Sequence, residues 1–183
     1  MLDMFIKWFI NLNGGEYIDF AMLSLTTLGG CFGLYQWYRS NCIKRAEYIG
    51  NLLEKLRTDK VFIEILYMFD YNEVWYNLDF HKGDNGLERK IDEVLSYFSY
   101  MCYLRKSRII NTNDFKFFNY EILRISQSEC FCKYLYNLYH FSNKNNTIMS
   151  FHYLFEYCIK NEIIPKEIKQ LNYYPKKYRY LNF

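Results

Sequence analysis

The sequence predicts an all-α protein built from a membrane-crossing helix followed by a helical bundle. Three observations predict it. No charged residue occurs from Phe20 to Tyr38, and a hydrocarbon core requires about 20 largely apolar residues. From Asn41 onward, apolar residues recur at spacings of three and four, the period of an amphipathic helix. No segment alternates apolar and polar residues convincingly enough to read as a strand.

The first segment, residues 1–15, reads "MLDMFIKWFINLNGG". Met1, Met4, Phe5, Trp8, Phe9 and Leu12 recur at roughly helical spacing, with Asp3, Lys7 and Asn11 between them. Such a helix is too short to span and is suited to lying in the bilayer interface. Asn13-Gly14-Gly15 reads as a break before the next element.

Residues 16–40 are the expected transmembrane helix. Tyr17 precedes the uncharged run, and Tyr35, Trp37 and Tyr38 close it; such rings prefer the headgroup level. Arg39, Lys44 and Arg45 follow, whereas Glu16 and Asp19 lie before. Positive charge stays on the cytoplasmic side, which puts the N-terminus outside and the remaining chain inside. A signal peptide has its basic residues before the apolar run and small residues at its end. Here both features are reversed.

Successive helical residues turn by about 100°. On that projection Asp19, Met22, Thr26, Gly29, Gly30, Gly33, Gln36 and Ser40 share one side. Ala21, Leu25, Leu28, Phe32 and Tyr35 share the other and suit lipid. Leu23 and Trp37 fall on the small, polar side, so the division is not clean. Gly29 and Gly33 make a G-x-x-x-G spacing, which lets helix backbones approach closely. The span is therefore expected to self-associate. Either the small face packs helix on helix in a dimer, or several copies ring a wet channel. Asp19, Met22, Thr26, Gly29, Gly30, Gly33 and Gln36 are the candidate pore-lining or helix-packing residues, because an ionisable residue near a span commonly faces a cavity or a partner.

Residues 41–163 read as a helical domain. "KRAEYIGNLLEKL" spaces Ala46, Ile49, Leu52, Leu53 and Leu56 on one face, with Thr58 a cap for the next helix. That helix is expected to run through "DKVFIEILYMFDYNEVWYNL". "FHKGDNG" is a loop. "LERKIDEVLSYFSYMCYLRKS" is a long amphipathic helix with Ile91, Val94, Leu95, Phe98 and Cys102 inward. "IINTND" gives a turn and a cap. Two further helices follow, with a break near Gln127-Ser128, then "TIMSFHYLFEYCIKN". In the tail, residues 164–183, Pro165 begins a short last helix. Lys176, Lys177 and Arg179 stand there among tyrosines, able to grip a neighbouring subunit, RNA or anionic lipid, or simply docked or frayed.

The net charge of +3 is spread through the chain, which argues against a dedicated nucleic-acid platform. Six cysteines form no C-x-x-C pair, so zinc-finger spacing is absent and no metal or cofactor is expected. In a cytoplasmic domain they are reduced thiols, mostly in the core. Aromatics make up 21% of the chain, but the accompanying Ile, Asn and Lys enrichment fits an A+T-rich genome and carries no functional weight. No P-loop, G-x-S-x-G or H-E-x-x-H occurs. His81 sits in a loop, while His140 and His152 have aromatic surroundings that favour packing over catalysis.

The segment from Lys90 to Ser142, with its acidic start, "YFSY" on a helix, "DFKFFNYEILRI" after a turn, then "YLYNLYHF", resembles a helical module of small bacterial membrane proteins with one N-terminal span. From about Asp19 to about Asn161 the layout is similar to the small accessory membrane proteins of type VI-B CRISPR systems. That resemblance implies a divergent HEPN-like helical domain and a single-pass protein of the bacterial inner membrane. It implies a homo-oligomeric pore, larger than a dimer, that strengthens antiphage defence by depolarising that membrane. It also implies a functional link to an RNA-guided RNase. An active HEPN ribonuclease carries Arg, four to six residues, then His, and this sequence has no such spacing. Arg124 and His140 are the nearest ordered pair, on successive predicted helices, and are the candidates for RNA contact. No catalytic residue is carried over, and RNase activity is not expected. Two alternatives stand beside the pore: a membrane-tethered RNA-binding protein or degenerate ribonuclease, and a membrane scaffold that docks a soluble partner.

Overall fold

A computed structural model of the chain describes residues 13–82 and 86–183. Most of the segment expected at the interface, residues 1–12, lies outside the described residues. Among those described there are only helices and connections, with no strand. The chain divides into two compact units, residues 1–51 and 52–183.

Helix α1 spans Gly14–Thr58. The expected break at Asn13-Gly14-Gly15 is its start: the Asn13 backbone N–H donates to Glu16 Oε2 at 2.7 Å. A carboxylate three residues into a helix reaching back to the cap satisfies one orphan donor and complements the helix dipole. The sequence reading ended the span at Ser40 and began a new helix beyond Asn41. The second helix does not begin there, because α1 runs through that point unbroken. No Gly or Pro lies between Gly33 and Gly50, so Ser40 marks a change of polarity and not of backbone. The last residues of α1, from Leu52, belong to the second unit.

Within the second unit, α2 spans Lys60–Asp70, α3 Leu87–Lys106, α4 Thr112–Ser126, α5 Glu129–Lys144 and α6 His152–Lys160. Short 3-10 turns occur at Phe80–Lys82, Lys166–Lys169 and Lys176–Tyr178. Helix α3 is the hub. It packs most extensively on α6 and also meets α2, α4 and the Phe80–Lys82 turn. Ile91, Val94, Leu95, Phe98 and Met101 are fully buried on it. Helix α5 packs on α4 and on the Lys166–Lys169 turn.

Two further boundaries differ from expectation. Asp59, not Thr58, caps α2, its side chain accepting from the Val61 N–H at 2.9 Å; the Thr58 hydroxyl instead donates back to Glu54 O. Helix α2 stops at Asp70, eight residues before the expected end at Leu78. There Asn72 adopts φ 49°, the Asn72 N–H reaches Phe69 O, and the Glu73 N–H reaches Met68 O. This pair of bonds is a Schellman motif, and Asn is the residue after Gly that best tolerates its left-handed position. The released segment then turns Trp75, Tyr76 and Phe80 into the core, at 4%, 2% and 5% exposure.

The same C-terminal device recurs. Arg108, Asn146 and Glu162 have φ of 59°, 52° and 56°. In each case the next N–H bonds back to the helix: Ile109 to Leu104 O, Thr147 to Ser142 O and Ile163 to Cys158 O. Left-handed backbone costs an L-residue about 1–2 kcal/mol, and glycine would return about half of that as unfolded-chain entropy. Arg108→Gly is therefore expected to stabilise the protein by about 0.5 kcal/mol, read as a higher urea midpoint in detergent. A lower midpoint would show that the arginine contributes more than its strain costs.

Candidate functional site

Helix α1 is long and apolar enough to cross a membrane, and none of its apolar window is buried within the chain. Leu25, Leu28 and Phe32 are 77%, 70% and 64% exposed. A contiguous apolar face of this size needs lipid or a partner. Because α1 is unbroken, Asp19, Met22, Thr26, Gly29, Gly30, Gly33 and Gln36 fall within one arc of about 120°. The Thr26 hydroxyl donates to Met22 O at 2.7 Å, and the neighbouring Thr27 hydroxyl to Leu23 O at 2.8 Å. Both hydroxyls are thus satisfied inside the helix, as a lipid environment requires. A Cβ built on Gly29, Gly30 or Gly33 meets nothing within 4 Å. That strip is free to receive another helix.

Arg124 and His140 occupy separate surroundings in the second unit. The Arg124 guanidinium, on α4, grips both carboxylate oxygens of Asp70 with Nε and Nη2, and Glu121 Oε2 with Nη1 at 2.9 Å. The hydrogen bond from Arg124 holds the Asp70 carboxyl below the usual carboxylate range. His140, on α5, sets Nε2 3.2 Å from Ile168 O, and its ring stacks on Phe183 and meets Tyr136 edge-on. Burial is the main cause that lowers its pKa, so the neutral ring donates to that carbonyl. The two residues share none of these partners.

His81 and His152 are likewise engaged. His81 Nδ1 lies 2.7 Å from Glu88 Oε1, and Nε2 lies 3.3 Å from the Tyr76 hydroxyl. Beside them the Tyr134 hydroxyl donates to Asp92 Oδ1 at 2.6 Å. This resembles a proton relay, but burial raises the pKa of both tyrosines, Tyr76 and Tyr134. The Tyr134 phenol ties α5 to α3, the His81–Glu88 contact ties the Tyr71–Lys82 segment to α3, and the two buried, protonated phenols are no ready nucleophiles. His152 faces Glu156 across 3.4 Å on the surface. Burial pushes the Cys102 thiol up to about 12 and that of Cys132 up to about 11, so neither is a ready thiolate. Among the described residues no group of three His, Cys, Asp or Glu side chains is placed to hold a metal.

The sequence reading missed Asn137. It is fully buried on α5 and clamps the chain's last residues. Its amide nitrogen donates to Lys133 O and Tyr178 O, at 2.8 and 2.9 Å. Its amide oxygen accepts from the Tyr180 and Leu181 N–H groups, at 2.7 and 3.3 Å. The Tyr136 hydroxyl and Arg179 Nη2 both donate to Leu171 O. Lys133 sits 4.0 Å over the Tyr178 ring. The C-terminal segment is therefore docked, and Lys176 and Lys177 are exposed on it. Lys133, Asn137, His140 and Lys144 form a polar stripe at helical spacing, which was legible; what they bind was not.

No protein-family model, curated protein or solved structure matches this chain.

Two measurements check the clamp. Asn137→Ala strips buried backbone groups of their partners and is expected to cost about 2 kcal/mol, seen as a lower urea midpoint. For His140 the folded pKa lies below the unfolded value near 6.5. The unfolded chain then binds more protons as pH falls through that value. Stability is full above it and declines below it until the folded pKa is passed. The melting temperature should fall between about pH 7.5 and 5.5, and His140→Gln, whose amide can still donate to Ile168 O, should flatten that fall. An unchanged slope would assign the pH dependence elsewhere.

Proposed function

We propose that this chain is a homo-oligomeric membrane channel whose α1 helices pack through their glycine-bearing face around a central opening. The observation that carries the proposal is the exposed strip of Gly29, Gly30 and Gly33, where an added Cβ would meet no described atom within 4 Å. Close helix approach through small residues drives association in lipid, where the hydrophobic effect cannot. Asp19, Met22, Thr26 and Gln36 share that face, so a ring would turn them towards its axis or its helix seams. Arg39, Lys44 and Arg45 follow the apolar run and favour an outside N-terminus with the helical body in the cytoplasm. The similarity to the accessory membrane proteins of type VI-B CRISPR systems supplies the biological setting. In it the channel depolarises the bacterial inner membrane once an RNA-guided RNase has detected phage transcripts. The body has a divergent HEPN-like role as an assembly domain, without ribonuclease chemistry.

The RNA-binding alternative draws no support from Arg124 and His140. The Arg124 guanidinium is committed to Asp70 and Glu121, which leaves little of it for a phosphate.

The particle mass of the full-length protein in mild detergent tests the proposal. A single species well beyond a dimer, able to release ions from liposomes, is the expected result. A Cβ at Gly29 or Gly33 meets no described atom within 4 Å, so Gly29→Leu and Gly33→Leu should each lower both particle mass and ion release while the melting curve stays put. A monomer that leaves liposomes intact would refute the channel.

A further inference from the structure

The glycine-bearing face of α1 carries few charges, and they are unevenly placed. Asp19 precedes the uncharged run and Arg39 follows it. At about 100° per residue, Asp19 lies inside the arc of about 120° that holds Gly29, Gly30 and Gly33, whereas Arg39 lies about 60° outside it. Arg45 falls outside the arc as well. So does Glu16, whose carboxylate accepts from the Asn13 N–H. Asp19 is exposed and makes no hydrogen bond or ion pair among the described residues. Among those residues it is the one charge on the arc at this end of the run.

Two more charges share the arc beyond the run, Lys44 and Glu47. They are opposite in sign and stand about 4.5 Å apart along the axis, within a Debye length of about 8 Å, so each offsets the other. Lys44 stands about 37 Å from Asp19 along the helix, several Debye lengths away, and does not offset it. The arc therefore bears a cancelled pair at one end and a bare carboxylate at the other.

We infer that Asp19 sets the ion preference of the channel, and that the ions it admits are small cations. The inference rests on the channel proposed above and names what passes through it. In a closed ring every copy places its Asp19 at the same level, so the charge at that mouth is multiplied by the number of subunits. A ring of carboxylates concentrates cations and repels anions. Past it the arc presents Met22, Thr26, the glycines and Gln36. None is charged, so no second ring opposes the first before Lys44 and Glu47.

Reversal potentials of the full-length protein in planar bilayers under a KCl gradient test this. The wild type should pass K⁺ in preference to Cl⁻. Asp19→Asn keeps the shape and removes the charge, and should lower the K⁺/Cl⁻ permeability ratio several-fold. Asp19→Lys should reverse the preference, and Asp19→Glu should retain it. Particle mass in mild detergent should match the wild type for the Asn and Glu variants, because the glycine strip is untouched. A conducting wild type that prefers Cl⁻, or a ratio that Asp19→Asn leaves unmoved at wild-type particle mass, overturns the assignment and leaves the channel standing. A wild type that carries no current overturns the channel and this inference together.

Discussion

A peptide group inside a hydrocarbon layer has no water to bond with, so its N–H and C=O must be satisfied within its own segment. In the proposed channel that constraint governs α1. It explains why two adjacent glycines, two back-bonded threonines and a cysteine can sit in an unbroken helix that would otherwise be a poor one. The continuity has a second effect. It fixes the phase of every residue from Gly14 to Thr58, so the small face at Gly29 and Gly33 is one stripe and not a set of scattered gaps. About 20 residues are enough for a crossing of a hydrocarbon core. The remaining residues of α1 carry the same backbone on into the second unit.

That unit solves a different problem with one residue type. The chain has 20 Tyr and 16 Phe, and the tyrosines act as apolar bodies with a polar handle. Tyr97 donates to Leu52 O, Tyr136 to Leu171 O, Tyr157 to Asn119 Oδ1 and Tyr134 to Asp92 Oδ1. Each of these bonds joins segments far apart in sequence while the ring fills core. Trp75, Tyr76, Phe80 and Tyr134 meet one another at centroid distances of 5.0–5.7 Å, mostly edge-on or tilted. The aromatic wealth of the chain is used for packing. An excess that genome composition alone could explain has become the means of holding irregular segments to helices.

The residues that look most chemical are mostly consumed in this architecture. Arg124 pairs with two carboxylates, His140 holds the Ile168 carbonyl, His81 bridges Glu88 and Tyr76, and burial keeps the thiols of Cys102, Cys132 and Cys158 protonated. The glycine strip on α1 is different: a Cβ there meets nothing within 4 Å, and in the proposed channel it serves helix association.

The sequence alone determined the helical class, the uncharged run of α1 and the inward faces of α3, because charge gaps and three-to-four spacing follow directly from helix geometry. The cap at the start of α4, where Asn111 Oδ1 accepts from the Asp114 N–H, and the break near Gln127-Ser128 were legible for the same local reason. Tertiary structure decided the rest. The end of α2 at Asp70 depended on Asn72 accepting left-handed backbone so that Trp75 and Tyr76 could reach the core. That gain is long-range and leaves no periodicity to read. Arg124 found Asp70 across 54 positions, and Asn137 found Tyr180 across 43. A polar side chain announces that it needs a partner; only the fold states which one, because the choice is made by whichever backbone or carboxylate packing brings within hydrogen-bond reach.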